Sequence, residues 1–234
     1  MRIIAGNLRG RKLKAPKGLA TRPVLARVRE ALFNALGSIE GLRILDLFSG
    51  TGAIGLEGLS RGAQSAVFVE SGAEQCAVIR SNLAALEMKG EVIRADVYRA
   101  LDIFARAGRT FDFVFADPPY EQGMGSMTVN RVCKSGILSP EGVMAVTVRK
   151  NEELPKEAGT CRMIFDRRYG DTRLAMYGRE RNEDSPKSKA QRERMSERCQ
   201  VKGTSRRTDC KEFEKNMKDI TVLHNCSISL FYKK

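Results

Sequence analysis

Histidine is almost missing from this sequence. His224, close to the C-terminus, is the only one, so there is no second imidazole for a metal site and none in the patterned part of the chain for a catalytic triad. The six cysteines (Cys76, Cys133, Cys161, Cys199, Cys210 and Cys226) include no Cys-x-x-Cys pair, which excludes a zinc ribbon or a disulfide framework and leaves reduced thiols. No apolar run approaches the ~20 residues of a membrane span. The Arg- and Gly-rich N-terminus lacks the apolar core of a signal peptide, so a cytoplasmic protein is expected. Acid is missing too: none precedes Glu30, against nine Lys or Arg between Arg2 and Arg29. Chemistry in such a chain must run on carboxylates, backbone groups and a cofactor.

What is present is positive charge. Lys+Arg number 41 against 28 Asp+Glu, a net charge of +13, which suits an anionic partner such as nucleic acid; the alternative is a generally basic soluble protein. Arg2 to Ala5 and Arg11 to Lys14 read as two short strands joined by a turn from Asn7 to Gly10. Arg2, Arg9, Arg11 and Lys12 are candidate phosphate contacts, or else a solvated charged hairpin. Thr21 can cap a helix whose apolar face is Val24, Val28, Ala31, Leu32, Ala35 and Leu36, with Gly37 ending it. That helix would present Arg22, Arg27 or Arg29 to a ligand.

A strand over Arg43–Phe48 leads into Gly50, Gly52 and Gly55, a G-x-G-x-x-G set before a helix, and Glu70 closes the next apolar run, Ala66–Val69. A dinucleotide-binding unit fits this spacing, with Glu70 on ribose hydroxyls. Asp46 argues against it, because a carboxylate four residues before the first glycine repels a pyrophosphate. It suits a cofactor with a cationic amino acid end, such as S-adenosylmethionine. A helix over 73–88 and a strand over Glu91–Arg94 follow, ending at Asp96, which can meet an adenine amine or cap the helix over Val97–Ala107.

The next apolar run, Phe111–Ala116, delivers Asp117-Pro118-Pro119-Tyr120. Two prolines make a stiff turn with no N–H to donate, so the segment presents the Asp117 carboxylate and proline carbonyls as acceptors. Such a cluster suits the amine of a nucleobase, with Tyr120 stacked on the ring; the alternative is a strand-ending turn. A helix near Met127–Lys134, a strand over Gly142–Val148 and a hairpin of Cys161–Tyr169 with Thr172–Tyr177 complete the pattern. Strands alternating with helices predict an α/β sheet with helices on both faces, its acids and glycines converging on one edge.

With these residues in view the chain resembles class I S-adenosylmethionine-dependent methyltransferases, and more narrowly the RsmD-type 16S ribosomal RNA guanine-N2 methyltransferases. The resemblance covers about residues 1–178. It rests on Arg2-Ile3-Ile4-Ala5-Gly6 with Arg9-Gly10-Arg11-Lys12-Leu13, Arg22-Pro23 followed by Arg27 to Asn34, Leu45 to Gly52, Asp117 to Tyr120, and Tyr169-Gly170-Asp171-Thr172. It implies a Rossmann-like seven-stranded sheet with the last strand antiparallel. It places Asp46, Phe48, Gly50, Thr51, Gly52, Glu70 and Asp96 at the cofactor and Asp117, Pro118, Pro119 and Tyr120 at the target base. It also implies 16S ribosomal RNA as partner, contacted by Arg2, Arg9, Arg11, Lys12, Arg22 and Arg27, with no metal. A monomer is expected.

Val24 stands where the family is expected to have Thr, and residues 181–234 have no counterpart in it. The expected organisation is a basic arm and helix over 1–37, a methyltransferase domain over 38–180 and a basic tail over 181–234. The tail holds 14 Lys or Arg against 8 acids and little apolar periodicity, so it is expected to be disordered. Rival readings are an adenine-N6 or cytosine-N4 amino-methyltransferase of DNA or RNA, an NAD-dependent oxidoreductase, and a non-enzymatic RNA-binding protein.

Overall fold

Strands that are apolar on both faces can only be the middle of a covered parallel sheet, and this chain has several. A computed structural model describes residues 1–15, 23–120 and 123–179. Its elements are α1 (Pro23–Leu36), β1 (Arg43–Leu47), α2 (Ala53–Ser60), β2 (Ser65–Glu70), α3 (Ala73–Ala85), β3 (Glu91–Arg94), α4 (Val97–Arg106), β4 (Phe111–Ala116), α5 (Met124–Lys134), β5 (Leu138–Arg149), β6 (Glu157–Ala158), β7 (Cys161–Tyr169) and β8 (Thr172–Arg179). The sheet has eight strands in the order β3-β2-β1-β4-β5-β8-β7-β6. β1 to β5 pair in parallel, and β8 runs antiparallel to β5. The antiparallel last strand is as expected. The eighth strand is β6, whose two residues pair with the start of β7 and are too few to leave a signal in the sequence.

Alternation sorts the two faces. Leu45, Val67, Val114 and Val146 join Leu101 and Phe104 of α4 and Val129 and Val132 of α5 in one buried cluster. Ile44 and Phe68 turn the other way, toward α2. A Cβ on Gly55 would lie 2.3 Å from Phe68 Cε1, and one on Gly58 2.3 Å from Ile44 Cδ1, so the third glycine of the G-x-G-x-x-G set lets helix and sheet close together. Val28, Leu32 and Leu36 of α1 are buried as its periodicity predicts, and Phe33, outside the predicted face, is buried with them. Gly37, at φ 72°, ends that helix. Thr21, Arg22 and residues 181–234 lie outside the described residues.

The N-terminal segment pairs antiparallel over a shorter stretch than expected. The two expected strands reduce to one antiparallel bridge, Arg2 with Lys12. Ile3 N–H still donates to the Arg11 carbonyl at 3.0 Å, Gly10 N–H to the Ile3 carbonyl at 2.9 Å and Leu13 N–H to the Met1 carbonyl at 3.0 Å, while neighbouring donors go to α2. Ile4 and Ala5 give their N–H groups to the Glu57 carboxylate at 2.8 and 2.9 Å, and Leu8 gives its own to Ser60 Oγ at 3.0 Å. Glu57 is fully buried and also takes Arg61 Nε at 3.0 Å, with Arg29 Nε at 3.7 Å. With Ile3 and Leu13 buried as well, the segment is stapled to α2, and Met1–Arg179 form one compact unit.

Glu57→Ala would strand two amides and a buried arginine, a loss of about 3–5 kcal/mol. Thermal unfolding followed by circular dichroism is expected to show a midpoint lower by roughly 10 °C. A midpoint within roughly 2 °C of wild type would show that Glu57 does not hold the segment.

Candidate active site at the carboxyl edge of the sheet

Register decides what meets at the edge. Leu47 of β1 pairs with Val69 of β2 and with Ala116 of β4, so the residues that follow, Phe48, Glu70 and Asp117, leave the sheet at one level. They stand where the strand order reverses, the place where open α/β sheets bind ligands. Phe48 turns the chain with φ 54°, a left-handed conformation that costs a side-chain-bearing residue of the order of 1–3 kcal/mol. Ser49 Oγ donates to the Asp46 carbonyl at 2.6 Å, and Gly52 N–H to the Ser49 carbonyl at 2.7 Å, which closes the glycine loop.

Each acid at this edge already holds a donor. Asp46 is 1 % exposed and accepts the Gly55 N–H at 3.0 Å. Burial first, opposed by that bond and aided by the charges of Asp117 and Glu70, pushes its pKa up to about 8. Glu70 accepts the Gly50 N–H on one oxygen and the Gly72 N–H on the other, both at 2.8 Å, so it braces the loop itself. Asp96 is exposed and caps α4, accepting the Arg99 N–H at 3.0 Å; the helix-cap alternative is the contact present.

Asp117 is half-buried, and one of its oxygens accepts the hydroxyl of Thr147, a buried residue of β5. Pro118 is buried and Pro119 exposed. The Tyr120 hydroxyl lies 3.4 Å from Thr172 Oγ1, and the Arg149 guanidinium sits 5.7 Å from its ring centroid, a cation–π distance. One cleft joins the two groups of residues: Asp46, Phe48, Gly50 and Thr51 line it together with Asp117 and Thr147.

Sequence reasoning missed part of its wall. Met1 and Val28 also line the cleft; Arg29, one of the three arginines expected to face a ligand, does so too, and at 5 % exposed it donates to the Arg2 carbonyl at 2.7 Å. Asn82 of α3 accepts the Lys14 N–H at 2.8 Å and donates to the Lys14 carbonyl at 3.1 Å and the Thr51 carbonyl at 3.4 Å, tying the N-terminal segment to the glycine loop. Arg2, Arg9, Arg11, Lys12 and Arg27 are all exposed and do not line the cleft; Arg22 lies outside the described residues.

This sheet order and edge place the chain in the methyltransferase class of α/β folds. The structure superposes on yhhF of Escherichia coli, a protein named as a candidate methyltransferase, with a TM-score of 0.67 and 34% identity over 77% of this chain and 98% of that one. A family model described as "Conserved hypothetical protein 95" matches residues 1–178, and the chain belongs to that family. YlbH of Bacillus subtilis, named as a candidate rRNA methyltransferase, is 36% identical over 180 residues, 76% of this chain and 98% of its own. Ribosomal RNA small subunit methyltransferase D of Escherichia coli is 34% identical over 187 residues, 79% of this chain and 93% of its own. The resemblance drawn from the sequence therefore holds.

Asp46 gives the site a pH signature. Its proton is held to about pH 8 in the folded protein, and only to about 3.9 in an unfolded chain. The folded state binds the extra proton between those limits, so stability falls as pH rises through that window. Between pH 5 and 8 the wild type is expected to lose roughly 3 kcal/mol more than Asp46→Asn in urea unfolding. Equal losses would mean that Asp46 is ionised throughout.

Proposed function

We propose that this protein transfers a methyl group from S-adenosylmethionine to the exocyclic N2 amine of a guanine in 16S ribosomal RNA. The observation that carries the reading is the single cleft in which buried Asp46 and the glycine loop stand beside the oriented carboxylate of Asp117. The residues fit such a donor: Asp46 lacks a cationic partner among the described residues and gains one from a cationic amino acid end, and Gly50 and Gly52 let backbone approach it closely. Glu70, beyond its two amide bonds, has lone pairs for ribose hydroxyls.

Bound there, S-adenosylmethionine supplies a methyl group on a sulfonium, ready for in-line transfer. The chain does the rest. A guanine N2 is a weak nucleophile because its lone pair is delocalised into the ring. Asp117 and the Pro118 carbonyl, by accepting its two hydrogens, favour a geometry in which the lone pair points at the methyl carbon. Tyr120 holds the ring by stacking. Once the nitrogen has gained the methyl group it must lose a proton, and Asp117 accepts it. Orientation of this kind contributes about 7–11 kcal/mol, against roughly a few kcal/mol to flip the base out. Arg2, Arg9, Arg11, Lys12 and Arg27, exposed as they are, serve as phosphate contacts.

A dinucleotide fits the cleft poorly, because the Gly50 and Gly55 amides of the glycine loop already donate to Glu70 and Asp46 and are not free for a pyrophosphate. The choice of atom is tested with inosine, which keeps the guanine ring with its O6 and N7 but lacks N2. RNA carrying inosine at the target position is expected to accept no labelled methyl, while its affinity falls only within ~1–3 kcal/mol. Equal incorporation into guanine and inosine substrates would exclude N2 and return adenine N6 and cytosine N4 to consideration.

A further inference from the structure

Strand pairing carries the cleft face beyond Tyr120. In β5 and β8, Arg149 lies opposite Thr172 and Thr147 opposite Leu174; in β8 and β7, Thr172 lies opposite Tyr169 and Leu174 opposite Arg167. Residues directly opposite, and residues two apart along a strand, share a face of the sheet. Arg149, Tyr169 and Arg167 therefore stand on the face of Thr147, whose hydroxyl holds Asp117. The link to the base site is direct, since Tyr120 reaches Thr172 with its hydroxyl and carries Arg149 against its ring.

Charge pairing separates these arginines from their neighbours. Lys150 is paired with Asp171 at 2.6 Å and Arg173 with Asp166 at 2.8 Å. Arg149 and Arg167 are exposed, and among the described residues no carboxylate lies within the 4.0 Å of an ion pair from either. β5 and β7 are two strand spacings apart, about 10 Å, so the two guanidinium groups are placed to meet different phosphates. On the same face the half-buried Tyr169 stands two residues along β7 from Arg167 and in the cross-strand row of Arg149. Exposed arginines outside any ion pair, set beside an aromatic ring, are the features that hold a single strand of nucleic acid.

We propose that Arg149, Arg167 and Tyr169 form a second RNA-contact surface, separate from the N-terminal segment, which holds the unpaired nucleotides flanking the target base. The proposal rests on the reading of the cleft as a methyl-transfer site for ribosomal RNA. The arginines bind phosphates and the tyrosine stacks on a neighbouring base. The surface thereby fixes the strand on both sides of the flipped nucleotide.

The full-length protein is titrated with the target-site RNA across a salt series, with S-adenosylhomocysteine calorimetry on the same samples. The double variant Arg149→Gln/Arg167→Gln is expected to lower the slope of log affinity against log salt by about 1.4, or 0.7 per lost phosphate contact, with cofactor binding unchanged. Arg149→Lys/Arg167→Lys is expected to restore most of that slope, and Tyr169→Leu to weaken binding about fivefold or more with no change of slope. An unchanged slope in the Gln variant overturns the proposal. So does a loss of methyl transfer on assembled subunits with unchanged binding to isolated RNA, which would give the surface to a protein partner. Wild-type protein that binds S-adenosylhomocysteine but no RNA would overturn the ribosomal RNA reading itself, and this proposal with it.

Discussion

The rest of the structure depends on the crowding of negative charge at one edge of the sheet. Parallel register brings Asp46, Glu70 and Asp117 out of β1, β2 and β4 almost side by side, and the charges of Glu70 and Asp117 add to the cost of ionising buried Asp46. The fold offsets that cost with donors: Gly55 N–H on Asp46, Gly50 and Gly72 N–H on Glu70, and the Thr147 hydroxyl on Asp117. Those bonds also shape the loop, because the amides that quiet the acids are the amides of the glycine turn. Asp46 receives one amide where Glu70 receives two. Its carboxyl, held protonated to about pH 8, records a site short of positive charge, and a cationic ligand is what such a site is built to receive.

A second buried acid applies the same physics to architecture. Glu57 draws the amides of Ile4 and Ala5 onto α2 and, with Arg29 and Arg61, forms a charge cluster beneath the N-terminal segment. Because Asn82 then joins Lys14 to Thr51, the basic segment is held in fixed relation to the glycine loop. RNA contacts made by its exposed arginines would thus be placed with respect to the donor methyl by the protein interior.

Much of this was legible in the sequence. Apolar runs ending in Asp46, Glu70, Asp96 and Asp117 gave the strands and their order along the chain, since buried parallel strands leave continuous rather than alternating patterns. The glycine spacing and the Asp-Pro-Pro-Tyr turn named the edge, and the resemblance supplied the antiparallel last strand. What was not legible depends on distant partners. The N-terminal segments pair only around Arg2 and Lys12, and the amides of Ile4 and Ala5 go to Glu57, some fifty residues away. Thr147 is one hydroxyl in an apolar strand and means nothing until β5 is set beside β4. Arg27 and Arg29 look alike on α1, yet the first is exposed and the second buried in the cleft wall, a difference fixed by how the helix packs.

The division of the cleft into a donor half around Asp46 and Glu70 and a base half around Asp117 is the central claim, and Asp117→Ala tests it most directly. Calorimetric titration with S-adenosylhomocysteine and transfer of labelled methyl to small-subunit ribosomal RNA are measured on the same preparation. The account predicts cofactor affinity within about twofold of wild type, a difference of only about 0.4 kcal/mol, and no detectable transfer. Loss of cofactor affinity with transfer intact at saturating donor would contradict it and place Asp117 on the donor side of the cleft.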